Sequence, residues 1–120
     1  MTSQANVITR LGAAGACALA AFIGGHEGLR LETYLDYGGI PTACFGETRG
    51  IKVGMKFKKE ECEGMLYDSI SVAMAEAEKC TRTDLPPHVL AAFSSFVYNV
   101  GATKFCSSSM ARYAKAGLYQ

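Results

Sequence analysis

Residues 26–48, HEGLRLETYLDYGGIPTACFGET, gather two carboxylates, a threonine and a run of turn glycines within one short span. Glu27 closes an apolar run, with Phe22 and Ile23 before it and Leu29 and Leu31 after it. Its carboxyl is therefore expected to be partly desolvated, and desolvation disfavours the charged form of a carboxylic acid. Asp36 precedes Tyr37-Gly38-Gly39, a turn signal that leaves its carboxylate in a wetter place and ionised. Two carboxyls in opposed environments point to acid–base chemistry. A glutamate next to glycine and before arginine is by itself commonly a surface ion pair, so the reading rests on the whole constellation.

Beyond this stretch, residues 49–59, RGIKVGMKFKK, alternate Ile51, Val53, Met55 and Phe57 against Lys52, Lys56 and Lys58. Period two predicts a half-buried strand pair, which with Thr33 to Gly46 makes a small antiparallel lobe. Its basic face suits either an anionic polymer or plain solvation. From Glu60 to Cys80 the period becomes helical. Cys62, Met65, Leu66, Ser69, Ile70, Ala73, Met74 and Ala77 form one face. Glu60, Glu61 and Glu63 in the first turn and Lys79 in the last suit the helix dipole. The run Asp84-Leu85-Pro86-Pro87 offers a cap and a rigid start for another helix with Val89, Phe93, Phe96, Val97 and Val100 on its apolar face, ended by Gly101. Ser107 to Ser109 can cap a last helix, Met110 to Ala116, stopped by Gly117.

Upstream, Leu11 to Ile23 is uncharged, and of its 13 residues six are alanine and two glycine. That is shorter than the ~20 residues of a bilayer span but within the roughly 7 to 15 of a signal-peptide core. Ala18-Leu19-Ala20 could serve as a cleavage site, and a buried N-terminal helix is the alternative. With 120 residues, 49% hydrophobic and 19% charged, the chain holds one globular domain at most. Twelve basic against 11 acidic residues, a net charge of +1, argue against nucleic acid as a partner. The five cysteines include no C-x-x-C pair, so disulfides in an oxidising compartment are expected rather than a zinc ribbon. His26 has no companions at metal-ligand spacing, so it reads as a surface or second-layer residue, and neither metal nor organic cofactor is expected.

The central stretch resembles the catalytic segment of the phage-type lysozymes, or endolysins. The Glu-Gly-x-Arg motif of that family stands here as Glu27-Gly28-Leu29-Arg30. The family's aspartate nine residues on and its threonine six beyond that fall on Asp36 and Thr42, with Tyr34 and Gly39 in their expected places. Phe45-Gly46 and Thr48 are similar to the family's second β-turn. Two positions depart: Cys44 stands where many members have glycine, and Glu47 replaces a histidine, adding a negative charge near the cleft. The segment Phe96 to Gly101 is similar to a second family motif, in which Asn99 and Gly101 lie beside the cleft. A local helix-end cap is the alternative role for Asn99.

The resemblance implies an α+β, lysozyme-like fold, a small antiparallel β-lobe and a helical lobe joined by a long helix. It also implies hydrolysis of the β-1,4 bond between N-acetylmuramic acid and N-acetylglucosamine in bacterial peptidoglycan. Glu27 would be the general acid, Asp36 would stabilise positive charge or activate water, and Thr42 would position that water. Tyr34, Asn99 and Gly101 would contact substrate. It favours disulfides Cys44 to Cys62 and Cys80 to Cys106, leaving Cys17 alone in the apolar run, either as a small hydrophobe or as a thiol that exchanges with the others. Residues 1–25 resemble a weak signal anchor, exported to the host periplasm and tethered at first to the inner membrane, and 26–120 a catalytic domain acting as a monomer. Relatives continue for a few tens of residues, so the domain is expected to be C-terminally incomplete and marginal in stability. A non-catalytic peptidoglycan-binding or membrane-tethered remnant is the competing reading, and a small disulfide protein of unrelated role is a third.

Overall fold

A computed structural model describes residues 2–118, with His26 and Glu27 described by their backbone alone. The first helix, α1 (Ser3–Glu27), starts at Thr2, whose Oγ1 accepts from the Ala5 N–H at 3.1 Å. It is interrupted at Gly12, whose φ of 79° and ψ of 160° are not helical. This pairing of a positive φ with an extended ψ is open essentially to glycine alone and costs other residues about 1–3 kcal/mol, which is why the break falls there. The apolar run seen in the sequence thus lies inside a longer element that begins eight residues earlier.

Strands β1 (Arg30–Leu35) and β2 (Pro41–Cys44) pair antiparallel, with Arg30 opposite Cys44, Tyr34 opposite Thr42 and an irregularity between. The strand pair expected over 49–59 does not form. Gly50 and Gly54 take φ of 73° and 88°, which turns the chain out of the extended pleat. The alternation fails with it: Ile51 is buried, whereas Val53 is 74% exposed. What survives is an isolated bridge from Glu32 to Lys56, flanked by Thr33 N–H donating to the Met55 carbonyl and Phe57 N–H to that of Leu31.

Helix α2 (Lys59–Cys80) opens with the Lys58 N–H donating to Glu61 Oε1 at 2.9 Å. It buries Cys62, Leu66, Ile70, Ala73, Met74 and Ala77 as the periodicity predicts, together with Tyr67. Met65 and Ser69, expected on the same face, are only half-buried, for a reason the site explains. Helix α3 (Pro87–Val100) begins with proline in its first turn and has no side-chain cap. Asp84, expected to cap it, instead takes two hydrogen bonds from Arg82, Nε at 2.8 Å and Nη2 at 2.9 Å, which hold its carboxyl below the usual range. Phe96 and Val100 stay more than a third exposed, and Leu90 and Ser94 fill the buried face beside Val89, Phe93 and Val97. Gly101 ends the helix, a five-residue α4 (Ala102–Cys106) follows, and α5 (Ser109–Lys115) is capped by Ser108 Oγ, which accepts from Ala111 N–H.

The core lies among α1, α2 and α3, closed from below by Phe105 of α4, whose ring sits 5.2 Å from that of Phe93 and 5.7 Å from that of Phe96. Val7, Leu11, Ala16, Leu19 and Ile23 of α1 belong to it. Polar contacts fix the same helix: Asn6 Nδ2 donates to Ser71 Oγ at 3.1 Å, and Arg10 pairs with Glu78. Two disulfides staple the fold. Cys44–Cys62 ties the hairpin to α2 with Cα atoms 4.9 Å apart, and Cys80–Cys106 ties the end of α2 to α4 at 5.5 Å. Cys17 is free and exposed.

Candidate active site

The three residues of the proposed catalytic set come from consecutive pieces of chain. Glu27 is the last residue of α1, where Gly28 turns the chain into β1 and its N–H donates back to the Gly24 carbonyl at 2.8 Å. The expectations of a desolvated Glu27 carboxyl and of a surface or second-layer His26 fall on side chains outside the described residues. Asp36 follows β1 and controls the hairpin turn, because its Oδ1 accepts from the N–H groups of Gly38 and Ile40, both at 2.9 Å. Its carboxylate is half-buried, in a shallow hollow of about 320 Å³ lined by Tyr34, Leu35, Asp36 and Tyr37. Thr42, on β2, is 4% exposed, and its hydroxyl donates to the Ile40 carbonyl at 2.9 Å. Asp36 and Thr42 are therefore fastened to opposite ends of one residue, Ile40. The Thr42 oxygen still has lone pairs with which to accept from a water.

Tyr34 stands opposite Thr42 in the register, and the Arg30 guanidinium lies 4.4 Å from its ring centroid, a cation–π contact that holds the ring in place. Asn99 is exposed in the last turn of α3. The end of that helix is closed by the Gly101 N–H, which donates to the Val97 carbonyl at 2.8 Å.

A larger open cleft, about 450 Å³, lies between the chain after β2 and the helices. Gly46, Glu47, Thr48 and Arg49 form one wall, Met65, Asp68, Ser69 and Val72 of α2 the other, with Tyr98 of α3 between them. This is why Met65 and Ser69 are not in the core: they sit on the flank of α2 that borders the cleft. Ser69 Oγ donates to both carboxylate oxygens of Glu47, at 2.8 and 3.1 Å, and Tyr98 Oη donates to the Phe45 carbonyl at 3.3 Å. Asn99 and Gly101 do not line this cleft; the neighbouring Tyr98 does. Sequence reasoning overlooked Arg49, Asp68 and Tyr98 as cleft residues. A signal existed, since positions 65, 68, 69 and 72 are spaced i, i+3, i+4, i+7, a second helical stripe with two polar members beside the apolar one.

A two-stranded hairpin packed through a disulfide onto a long helix, with a helical lobe beyond it and a cleft between, is an α+β, lysozyme-like fold. The sequence profile of the Phage lysozyme family matches residues 24–120, and the chain belongs to that family. The SAR-endolysin of Bacteriophage PS119 is 33% identical over 94 residues, which make up 78% of this chain and 56% of that protein. The SAR-endolysin of Enterobacteria phage PA-2 is 31% identical over 111 residues, 86% of this chain and 67% of that protein. Among solved structures, the endolysin from Escherichia coli O157:H7 phage FAHEc1 is 30% identical with a TM-score of 0.73, covering 90% of this chain and 68% of that one. The chain spans little more than half the length of the PS119 relative.

Proposed function

We propose that the chain is a muramidase, hydrolysing the β-1,4 bond between N-acetylmuramic acid and N-acetylglucosamine in bacterial peptidoglycan and so lysing the host cell. The observation that carries this reading is the joining of α1, ending at Glu27, to a hairpin that fastens Asp36 and Thr42 to the same residue. Glu27 is the general acid that protonates the leaving oxygen. It is the last residue of α1, at the junction with the hairpin. Asp36 stabilises the positive charge of the oxocarbenium-like transition state or activates water, and Thr42 accepts a hydrogen bond from that water. Tyr34, Asn99 and Gly101 bind substrate, and residues 26–120 form the catalytic part.

Residues 1–25 act as a weak signal anchor. In support, the segment Ser3–Gly25, 23 residues, is long and apolar enough to cross a membrane by length and composition. Arg10, immediately before the uncharged run Leu11 to Ile23, would keep the N-terminus cytoplasmic and place Glu27 and the disulfides in the periplasm, beside the wall. A cell-wall zymogram of the parent and of Glu27→Gln tests the reading. Clearing by the parent and none by the variant is expected. Wall binding without clearing by either would favour a non-catalytic, wall-binding module.

A further inference from the structure

The turn from Ala43 to Glu47 is held by all three long helices. Ala43 and Glu47 exchange both backbone hydrogen bonds, at 3.0 and 2.8 Å, so the turn is a closed unit. From α2 it is gripped by the Cys44–Cys62 disulfide at one end and by the Ser69 hydroxyl on the Glu47 carboxylate at the other. From α3, Tyr98 donates to the Phe45 carbonyl. Against α1 the Phe45 ring abuts Gly24: a methyl built on Gly24 would stand 3.2 and 3.3 Å from two ring carbons. Gly24 also accepts the hydrogen bond from Gly28 that closes the last turn of α1, the turn that ends in Glu27.

We infer that Glu47 and Ser69 are positioning residues for Glu27: by fixing the Ala43–Glu47 turn they hold the Phe45 ring against Gly24, and so set where α1 presents its terminal glutamate. This rests on the muramidase reading above. The Ser69 to Glu47 bond is charge-assisted, among the stronger hydrogen bonds a half-buried site offers. A ring packed on bare glycine backbone passes its displacement to the helix, because no side chain lies between to absorb it. The disulfide and Tyr98 retain the other side of the turn, so loss of the Glu47 to Ser69 bond loosens it without releasing it.

The test measures kcat and KM on soluble peptidoglycan fragments for the parent, Ser69→Ala, Glu47→Ala and Glu47→Gln, with amide exchange at Gly28 followed by NMR in each. A misplacement near 1 Å costs about 10²-fold in rate, so a loosened turn is expected to lower kcat by about tenfold or more in both alanine variants. KM should stay within about twofold, because ground-state binding is not what has been removed. Glutamine, whose amide oxygen still accepts from Ser69, should recover most of the kcat that alanine loses. Gly28 should exchange faster in the alanine variants while amides of α3 keep their parental protection. Unchanged kcat and unchanged Gly28 exchange overturn the inference, and so does a loss confined to KM, which would make both residues substrate contacts instead. A parent that does not hydrolyse the fragments sinks the muramidase reading alone; Gly28 exchange then decides whether the clasp on α1 exists.

Discussion

At the scale of single residues, the two carboxylates call for different substitutions. Glu27→Gln keeps size and polarity and removes the transferable proton, so it should lower wall hydrolysis by roughly 10²- to 10⁴-fold, the usual worth of a positioned general acid, with no change in the unfolding midpoint. Asp36 has a structural task as well, because its Oδ1 ties the hairpin turn through Gly38 and Ile40. Asparagine keeps an oxygen there and alanine does not. Asp36→Asn should therefore lose activity at parental stability, whereas Asp36→Ala should also lose about 1–2 kcal/mol for the two hydrogen bonds removed from an exposed turn, whose N–H groups water then satisfies. Turbidity assays beside urea unfolding separate the two effects. Tyr67 supplies a pH dependence: burial, then the nearby Cys17 and Glu63, push its phenol above the ordinary value of 10. The unfolded chain then ionises first, so this residue's contribution is fully present below pH 10 and is lost as pH rises through the folded value. Tyr67→Phe should flatten the alkaline fall in stability measured from pH 9 upward.

Among the elements, the hairpin depends on Cys44. Its φ of 58° lies in the left-handed region that favours glycine, and the bond to Cys62 holds it there. The bond closes a separation of 18 residues, for which chain entropy gives about 3 kcal/mol. Cys62→Ser should remove about that much, and adding Cys44→Gly should return roughly 1 kcal/mol by relieving the left-handed backbone, as read from urea midpoints without reductant. The same elements show what the chain displays in one dimension. The buried stripe of α2 was legible because Leu66, Ile70, Ala73, Met74 and Ala77 face one continuous core. Met65 and Ser69 share that period yet leave the core, because period 3.6 marks a helix face without saying whether the chain beyond it packs or leaves a cleft. In 49–57 the side chains alternate as a strand would, but Gly50 and Gly54 decide the backbone. Asp36 and Thr42 could be read from spacing, whereas Arg49, Asp68 and Tyr98 are joined only by the third dimension.

For the whole molecule, α1 has two possible surroundings. In the folded domain Val7, Leu11, Leu19 and Ile23 are buried against the helices, yet only 28% of its most apolar window is buried and Phe22 stays 52% exposed. In a bilayer all of these would face lipid, and Arg10 would exchange its partner Glu78 for the membrane surface. The two states ask different things of residue 12. The packed form breaks the helix there at a φ of 79°, whereas a span in lipid must keep every backbone hydrogen bond and so run unbroken. Gly12→Ala penalises the first by about 1–3 kcal/mol and favours the second by about 1 kcal/mol of helix propensity. The substitution should move the partition between membrane and soluble fractions by at least about tenfold toward the membrane, 1.4 kcal/mol being one decade. Gly15→Ala is the control, since residue 15 lies within the helix and its new methyl would sit 3.4 Å from Leu11 Cβ, an ordinary contact. It should gain the same propensity in both states and leave the partition near that of the parent. Fractionation of cells producing the three proteins, with detection by immunoblot, reads the difference directly. A Gly12→Ala protein no more membrane-bound than the Gly15→Ala control would show that the break in α1 does not govern the exchange.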